Sequence, residues 1–199
     1  TAKEEDILTS SNLIEKGLVI DKLLESVIAD PKIKLDDLLI GDKNALMVGT
    51  RVLGYGKEYV VTMEDPDTSL EVEHSFDLTK LNHSTIDYDK LKSGKNEFEY
   101  ITPNSKSKLV FKLLTHKDEK DIEKELKAYK KLSDVTGISN ELTTRLKKQI
   151  ISVDGEKDIL KISEFVDNRF LALDTKEFRK YVTSIMPDIN FEQEYESQI

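Results

Sequence analysis

Apolar positions in the first third of the chain recur at helical spacing. Ile20, Leu23, Leu24, Val27 and Ile28 fall at i, i+3, i+4, i+7 and i+8, the stripe of an amphipathic helix. Ser10 or Ser11 can cap its start, and Pro31 stops it. Ala45, Val48, Gly49, Val52 and Leu53 repeat the spacing in a second helix, with Asp42 as its N-cap. Gly49 on that apolar face predicts close approach by another element. Gly54-Tyr55-Gly56 predicts the helix end, because Gly tolerates the backbone that a C-cap needs.

The period then falls to that of a strand. Residues 58–63 are rich in Val and Tyr and predict a strand, and Glu64-Asp65-Pro66-Asp67 is turn chemistry. Leu70, Val72, His74 and Phe76 alternate with Glu71, Glu73 and Ser75, a half-buried strand with an acidic outer side. Residues 96–102 and 108–115 predict a second hairpin around Pro103-Asn104-Ser105. Between the two hairpins, residues 77–94 are irregular, with Leu78, Leu81, Ile86 and Leu91 as anchors.

Helical spacing returns in the last third. Ile122, Leu126 and Tyr129 share one face of a Lys- and Glu-rich helix over 115–132. Ser139 can cap a helix carrying Leu142, Leu146 and Ile150, which Asp154-Gly155 ends. Ile159, Ile162, Phe165, Val166 and Phe170 stripe another helix. Asp174 with Glu177 resembles the capping box of a last helix through Phe178, Tyr181, Val182 and Ile185, ended by Pro187. Ile189, Phe191 and Tyr195 alternate with Asn190, Glu192 and Glu194 and predict a closing strand.

The expected fold is α+β, with helices at both ends of the chain packed on a small antiparallel β-sheet. The C-terminal strand is expected to return to that sheet and pair with 58–63 or 70–76. Three parts are expected within one compact unit: helical 1–56, β-rich 57–115, and helical 116–199 with the closing strand.

Composition narrows the class. Leu, Ile, Val and Phe together supply 60 of 199 residues, enough for a globular core. No apolar run exceeds four residues, which argues against a membrane-spanning helix or a secretory leader and predicts a soluble, intracellular-type chain. The absence of Cys excludes a disulfide scaffold, a thiolate zinc site, an iron–sulfur cluster and a cysteine nucleophile. The net charge of −9 is uneven: −3 over 1–62, −6 over 63–90, +5 over 91–150 and −5 over 151–199. The net negative charge disfavours general nucleic-acid binding, and a basic block between acidic ones suits complementary protein neighbours.

Catalytic and metal chemistry find little support. His74 lies on an apolar strand face and reads as structural, while His83 and His116 read as surface residues near element ends. No His has a ligand partner at metalloprotease spacing. The acidic run from Asp65 lacks the Gly and the bidentate Glu of a calcium loop, with Leu70 and Phe76 at those positions. Gly54-Tyr55-Gly56 follows a helix and has Tyr59 where a dinucleotide fingerprint needs its third Gly. Asn82-His83-Ser84 matches a glycosylation acceptor, which without a leader carries no weight. No catalytic residue, cofactor or metal ligand is assigned.

Charge and aromatic patterning leave one set of candidates for protein binding. Lys120, Lys124, Lys127 and Lys131 share a helix face, although Asp121, Glu123 and Glu125 make a plain solvated face the simpler account. Glu71 and Glu73 form an acidic strand face, to which Asp65 and Asp67 add charge, and Tyr55 and Tyr59 flank the glycine turn as aromatic anchors.

Several runs together resemble a known family. They are Leu38-Leu39-Ile40-Gly41-Asp42-Lys43-Asn44-Ala45, Arg51-Val52-Leu53-Gly54-Tyr55-Gly56-Lys57-Glu58-Tyr59, Phe111-Lys112-Leu113-Leu114-Thr115, and Val153-Asp154-Gly155 through Phe178-Arg179-Lys180-Tyr181 to Pro187-Asp188-Ile189. In this order they are similar to the baseplate hub and hub-assembly proteins of T-even-type contractile-tailed bacteriophages. The resemblance covers about 38–196. It implies a non-enzymatic structural component of the tail baseplate hub, made in the host cytoplasm and carried in the virion. Its partners would be other hub and tail proteins, with a homo-oligomer within the hub left open and no membrane contact. Alternatives are a transient assembly factor absent from the mature particle and, further off, a nucleic-acid-binding module or a hydrolase. Some relatives carry cysteine pairs suggestive of a zinc ribbon. The matching stretches here, 62–69 and 192–199, have none, so any ribbon geometry must rest on hydrogen bonds and packing.

Overall fold

Helices and strands alternate along the chain much as the spacing predicts, yet they divide between two units that the sequence does not announce. The structure is a computed structural model, and it describes residues 1–91, 94–133 and 140–194. The fold is α+β with small antiparallel sheets. The first unit comprises Thr1–Ser84 with Pro187–Ile199, and the second comprises Thr85–Met186. This division differs from the expected 1–56, 57–115 and 116–199, because the two predicted hairpins fall in different units.

In the first unit, α2 (Ser11–Glu15) and α3 (Val19–Val27) replace the one helix expected from Ser10 or Ser11 to Pro31, and α1 (Ala2–Leu8) precedes them. The break is Gly17, at φ 67°. Its N–H bonds to the Ile14 carbonyl and that of Leu18 to the Leu13 carbonyl, the paired bonds of a Schellman stop. The serines do not cap α3; its N-cap is Leu18. Helix α4 (Ile40–Tyr55) starts after Leu39, with Asp42 inside the first turn near the positive end of the helix dipole. Gly56, at φ 83°, ends it as the glycine turn predicts.

Close approach occurs at Gly41, and not at Gly49. A Cβ on Gly41 would lie 1.6 Å from the Pro187 carbonyl oxygen, whereas one on Gly49 would meet nothing within 4 Å. Asp188 fastens this crossing. Its backbone N–H donates to Ser84 Oγ (2.8 Å), its carbonyl accepts from the Ser84 N–H (2.9 Å), and its Oδ1 accepts from Asn44 Nδ2 (3.0 Å).

Strands β1 (Glu58–Glu64) and β2 (Glu71–Asp77) form a hairpin in continuous register from Glu58↔Asp77 to Glu64↔Glu71. Its loop folds around Asp65, whose buried carboxylate accepts from the N–H groups of Asp67 and Thr68 and from Thr68 Oγ1. Asp65 is therefore a turn-former, and does not add to the surface charge as its position in an acidic run suggests. The closing strand does pair with an earlier strand: β7 (Ile189–Asn190) lies against β3 (Asn82–His83), and not against 58–63 or 70–76. Ser84 and Gly41 steer it there by fixing Asp188 and Pro187. Tyr195 of the predicted strand lies outside the described residues.

The second unit is built on the antiparallel order β4 (Phe98–Ile101), β5 (Lys108–Phe111), β6 (Ile150–Val153). A short α5 (Tyr88–Leu91) precedes the sheet, and α6 (His116–Ser133), α7 (Glu141–Gln149), α8 (Ile159–Asn168) and α9 (Ala172–Ile185) complete the unit. Phe111, Phe178, Leu109, Leu113 and Ile122 form its fully buried centre, with the Phe111 and Phe178 rings edge-on at 5.0 Å. Ile150 belongs to a strand, and not to the preceding helix. Asp154-Gly155, both at positive φ, form the two-residue turn that joins Val153 to Glu156. The predicted cap Ser139 lies outside the described residues. Ile162, Phe165 and Val166 are buried as the α8 stripe predicts, but Ile159 is exposed.

One cap is new and one assignment changes. Thr115 and Asp118 form a reciprocal box at the start of α6: Asp118 N–H donates to Thr115 Oγ1, and Thr115 N–H donates to Asp118 Oδ2. Asp174 is not an N-cap. It is a fully buried carboxylate in the first turn of α9 that accepts from Asn104 N–H (2.9 Å), Asn104 Nδ2 (2.8 Å) and Ser105 N–H (2.9 Å). It thereby fastens the β4–β5 turn to α9. Burial alone would raise its pKa, but these hydrogen bonds to the ionised form outweigh that and lower it to about 2.

Candidate functional site

The two units dispose of their apolar side chains differently. Among the described residues, 14 of the 16 buried core hydrophobics belong to the second unit, and only Leu24 and Leu35 to the first. The first unit instead carries 11 of the 18 large hydrophobics that stand exposed. Uncovered apolar surface on this scale marks an interaction site more often than a free face.

Much of that surface converges on one concavity of about 820 Å³ in the first unit. Ile20 and Leu23 of α3, Met47, Leu53 and Tyr55 of α4, and Phe191 beyond β7 line it. Leu53 is 91% exposed and the adjoining Tyr55 54%, while Val48 and Val52 are half-buried, so the apolar stripe predicted for α4 is only partly covered by this chain. Ala45, at the other end of that stripe, is exposed as well.

Arg51 organises one wall. Its guanidinium carbon lies 5.2 Å from the centroid of the Tyr55 ring and 5.9 Å from that of Tyr59. Its NH groups donate to the carbonyls of Gly56 (3.0 Å) and Glu58 (3.3 Å), tying the end of α4 to the start of β1. The Tyr55 hydroxyl donates to the Glu5 carboxylate on α1. That hydrogen bond raises the phenol above its ordinary pKa. The structure thus brings Tyr55 and Tyr59 together at the groove, joined by Arg51 and Glu5, which the sequence reading passed over.

The remaining candidates lie elsewhere. Glu71 and Glu73 are exposed on β2, with Glu64 directly opposite Glu71. Lys120 is half-buried on α6, and Lys124 and Lys127 are exposed. Lys124 lies 4.0 Å from Asp121 and Lys127 3.9 Å from Glu123, the same-helix neighbours of a solvated face and weak pairs energetically. Lys131 belongs to α6, but its side chain lies outside the described residues. The acidic strand and the basic helix therefore reside in different units. His116 is buried, contrary to its expected surface position, whereas His83 is exposed and the His74 ring packs 4.5 Å from that of Phe76.

Among the described residues, no three His, Asp or Glu side chains converge so as to hold a metal ion, and no helix is long and apolar enough to cross a membrane. No protein-family model, curated protein or solved structure matches the chain.

The groove residues missed by the sequence reading are Met47, Leu53 and Phe191. One signal for Met47 and Leu53 is that α4 carries apolar residues at 45–48 and again at 52 and 53, a spread wider than a single buried stripe.

Proposed function

We propose that the chain is a non-enzymatic structural component of the baseplate hub of a contractile-tailed bacteriophage, acting through protein–protein contacts. The observation that carries the contact-based part is the uncovered groove in a unit that buries only Leu24 and Leu35 among its described hydrophobics. Such a unit gains apolar burial by docking to a neighbour. Assignment to a hub rests on the resembling runs. Several of their residues have packing roles that tie distant runs together: Gly41 seats Pro187, Asn44 bonds Asp188, and Phe111 packs on Phe178.

The same groove would serve a factor that organises the hub and then leaves. Mass spectrometry of purified particles separates the two roles. A structural subunit is expected at constant ratio to the other baseplate proteins. Presence in hub precursors with loss from the particle would assign the transient role. Absence from both would overturn the hub reading.

A further inference from the structure

We propose that the groove of the first unit takes the apolar face of a basic amphipathic helix supplied by a partner protein. This rests on the reading of the chain as a contact protein and adds the chemistry of its partner.

Shape gives the first argument. The concavity is walled by helical stripes: Ile20, Leu23, Leu24 and Val27 follow i, i+3, i+4, i+7 on α3, and Met47, Arg51 and Gly54 follow i, i+4, i+7 on α4. Ridges of this spacing receive the side chains of a third helix. A volume of about 820 Å³ admits several large apolar side chains.

The disposition of polar groups gives the second. A site for a small polar ligand needs convergent polar groups with bonding capacity directed inward. Here Arg51 is engaged with Gly56, Glu58 and two tyrosine rings, and the Tyr55 hydroxyl is engaged with Glu5. The wall they form is satisfied within the chain and presents mainly carbon.

Charge gives the third. Residues 1–84 carry −8 and residues 187–199 carry −4, so the unit that holds the groove carries −12 at neutral pH. Residues 85–186 carry +3. A field of −12 repels an acidic segment, and it speeds and orients the approach of one whose flanks are Lys or Arg. Apolar anchors on one side and cations on the flanks define the partner.

The test uses the full chain and three labelled probe peptides of about 18 residues, long enough to be helical when bound. One carries Leu on a single helical face with Lys elsewhere, one replaces every Lys by Glu, and one has the Lys/Leu composition without the stripe. In fluorescence anisotropy the Lys/Leu amphipathic peptide is expected to bind at least about tenfold more tightly than either control, with affinity falling as salt rises. Leu53→Asp is expected to weaken it at least about tenfold, whereas Leu160→Asp, on another strongly exposed leucine in the second unit, leaves it unchanged. Unaltered circular dichroism shows that each variant is folded, and Met47→Asp provides a second groove variant. Equal binding of the Glu peptide, or binding indifferent to both Leu53→Asp and Met47→Asp, overturns the proposal. Failure here beside stoichiometric incorporation into hub particles would remove the basic helix and leave the hub reading standing. Peptide binding without any hub association would do the reverse.

Discussion

Gly41→Ala is expected to destabilise the first unit by about 3 kcal/mol, the upper end for overpacking at a site that cannot relax cheaply. The new methyl would sit 1.6 Å from the Pro187 carbonyl oxygen, 2.5 Å from its carbonyl carbon and 2.9 Å from Asp188 Cα. All three obstacles are backbone, so no side-chain rotation can make room. Moving this backbone breaks the bonds that Asp188 makes with Ser84 and Asn44, and with them the β3–β7 pairing. The gain in helix propensity, at most about 1 kcal/mol, is smaller. Gly49→Ala is the matched control: it lies in the same helix with open space around its Cβ, and should be neutral or stabilising by up to about 1 kcal/mol. Denaturant unfolding of the two variants should move in opposite directions or leave Gly49→Ala unchanged. Equal losses would contradict the crossing of α4 by Pro187.

Asp174→Asn is expected to lower the melting temperature of the second unit by on the order of 5 °C at neutral pH. The carboxylate accepts three N–H bonds in a fully buried position, and an amide would turn NH₂ toward donors on at least one side. The effect has a pH signature. An ordinary Asp titrates near 3.8, and this one is lowered to about 2, so the unfolded chain binds its proton more readily than the folded one. Its contribution is complete above about pH 4 and is lost as pH falls from there to about 2. The difference in melting temperature between the native chain and Asp174→Asn should therefore be constant from about pH 7 to 5 and close on acidification. A difference that stays constant down to about pH 2 would show that the charge is not what holds the turn.

How far these features could be read from residues alone depends on how local their cause is. Gly56 ends α4, Pro103-Asn104-Ser105 turns β4 into β5, and Val72, His74 and Phe76 alternate with exposed neighbours. Each follows from side chains within a few positions. Ile150–Val153 failed for a different reason: four residues are too short for periodicity to separate strand from helix. The Asp154-Gly155 pair beside it was the better hairpin signal. Gly41 and Gly49 look equivalent in the helical pattern, and only the return of Pro187 from far along the chain distinguishes them. Asp174 has a capping-box spacing to Glu177, yet its partners are Asn104 and Ser105. The apolar stripe of α4 was legible as a stripe. Whether the chain itself covers Leu53 depends on the placement of α1, α3 and Phe191, which no local pattern encodes.

We propose that this chain works by docking to tail proteins. The most direct measurement of this is quantitative mass spectrometry of what co-purifies with the tagged full chain from phage-infected cells, beside its Leu53→Asp variant. The prediction is that baseplate proteins are recovered in constant ratio to the native chain and are depleted about tenfold with the variant. Recovery of no tail protein above an untagged control would contradict the claim.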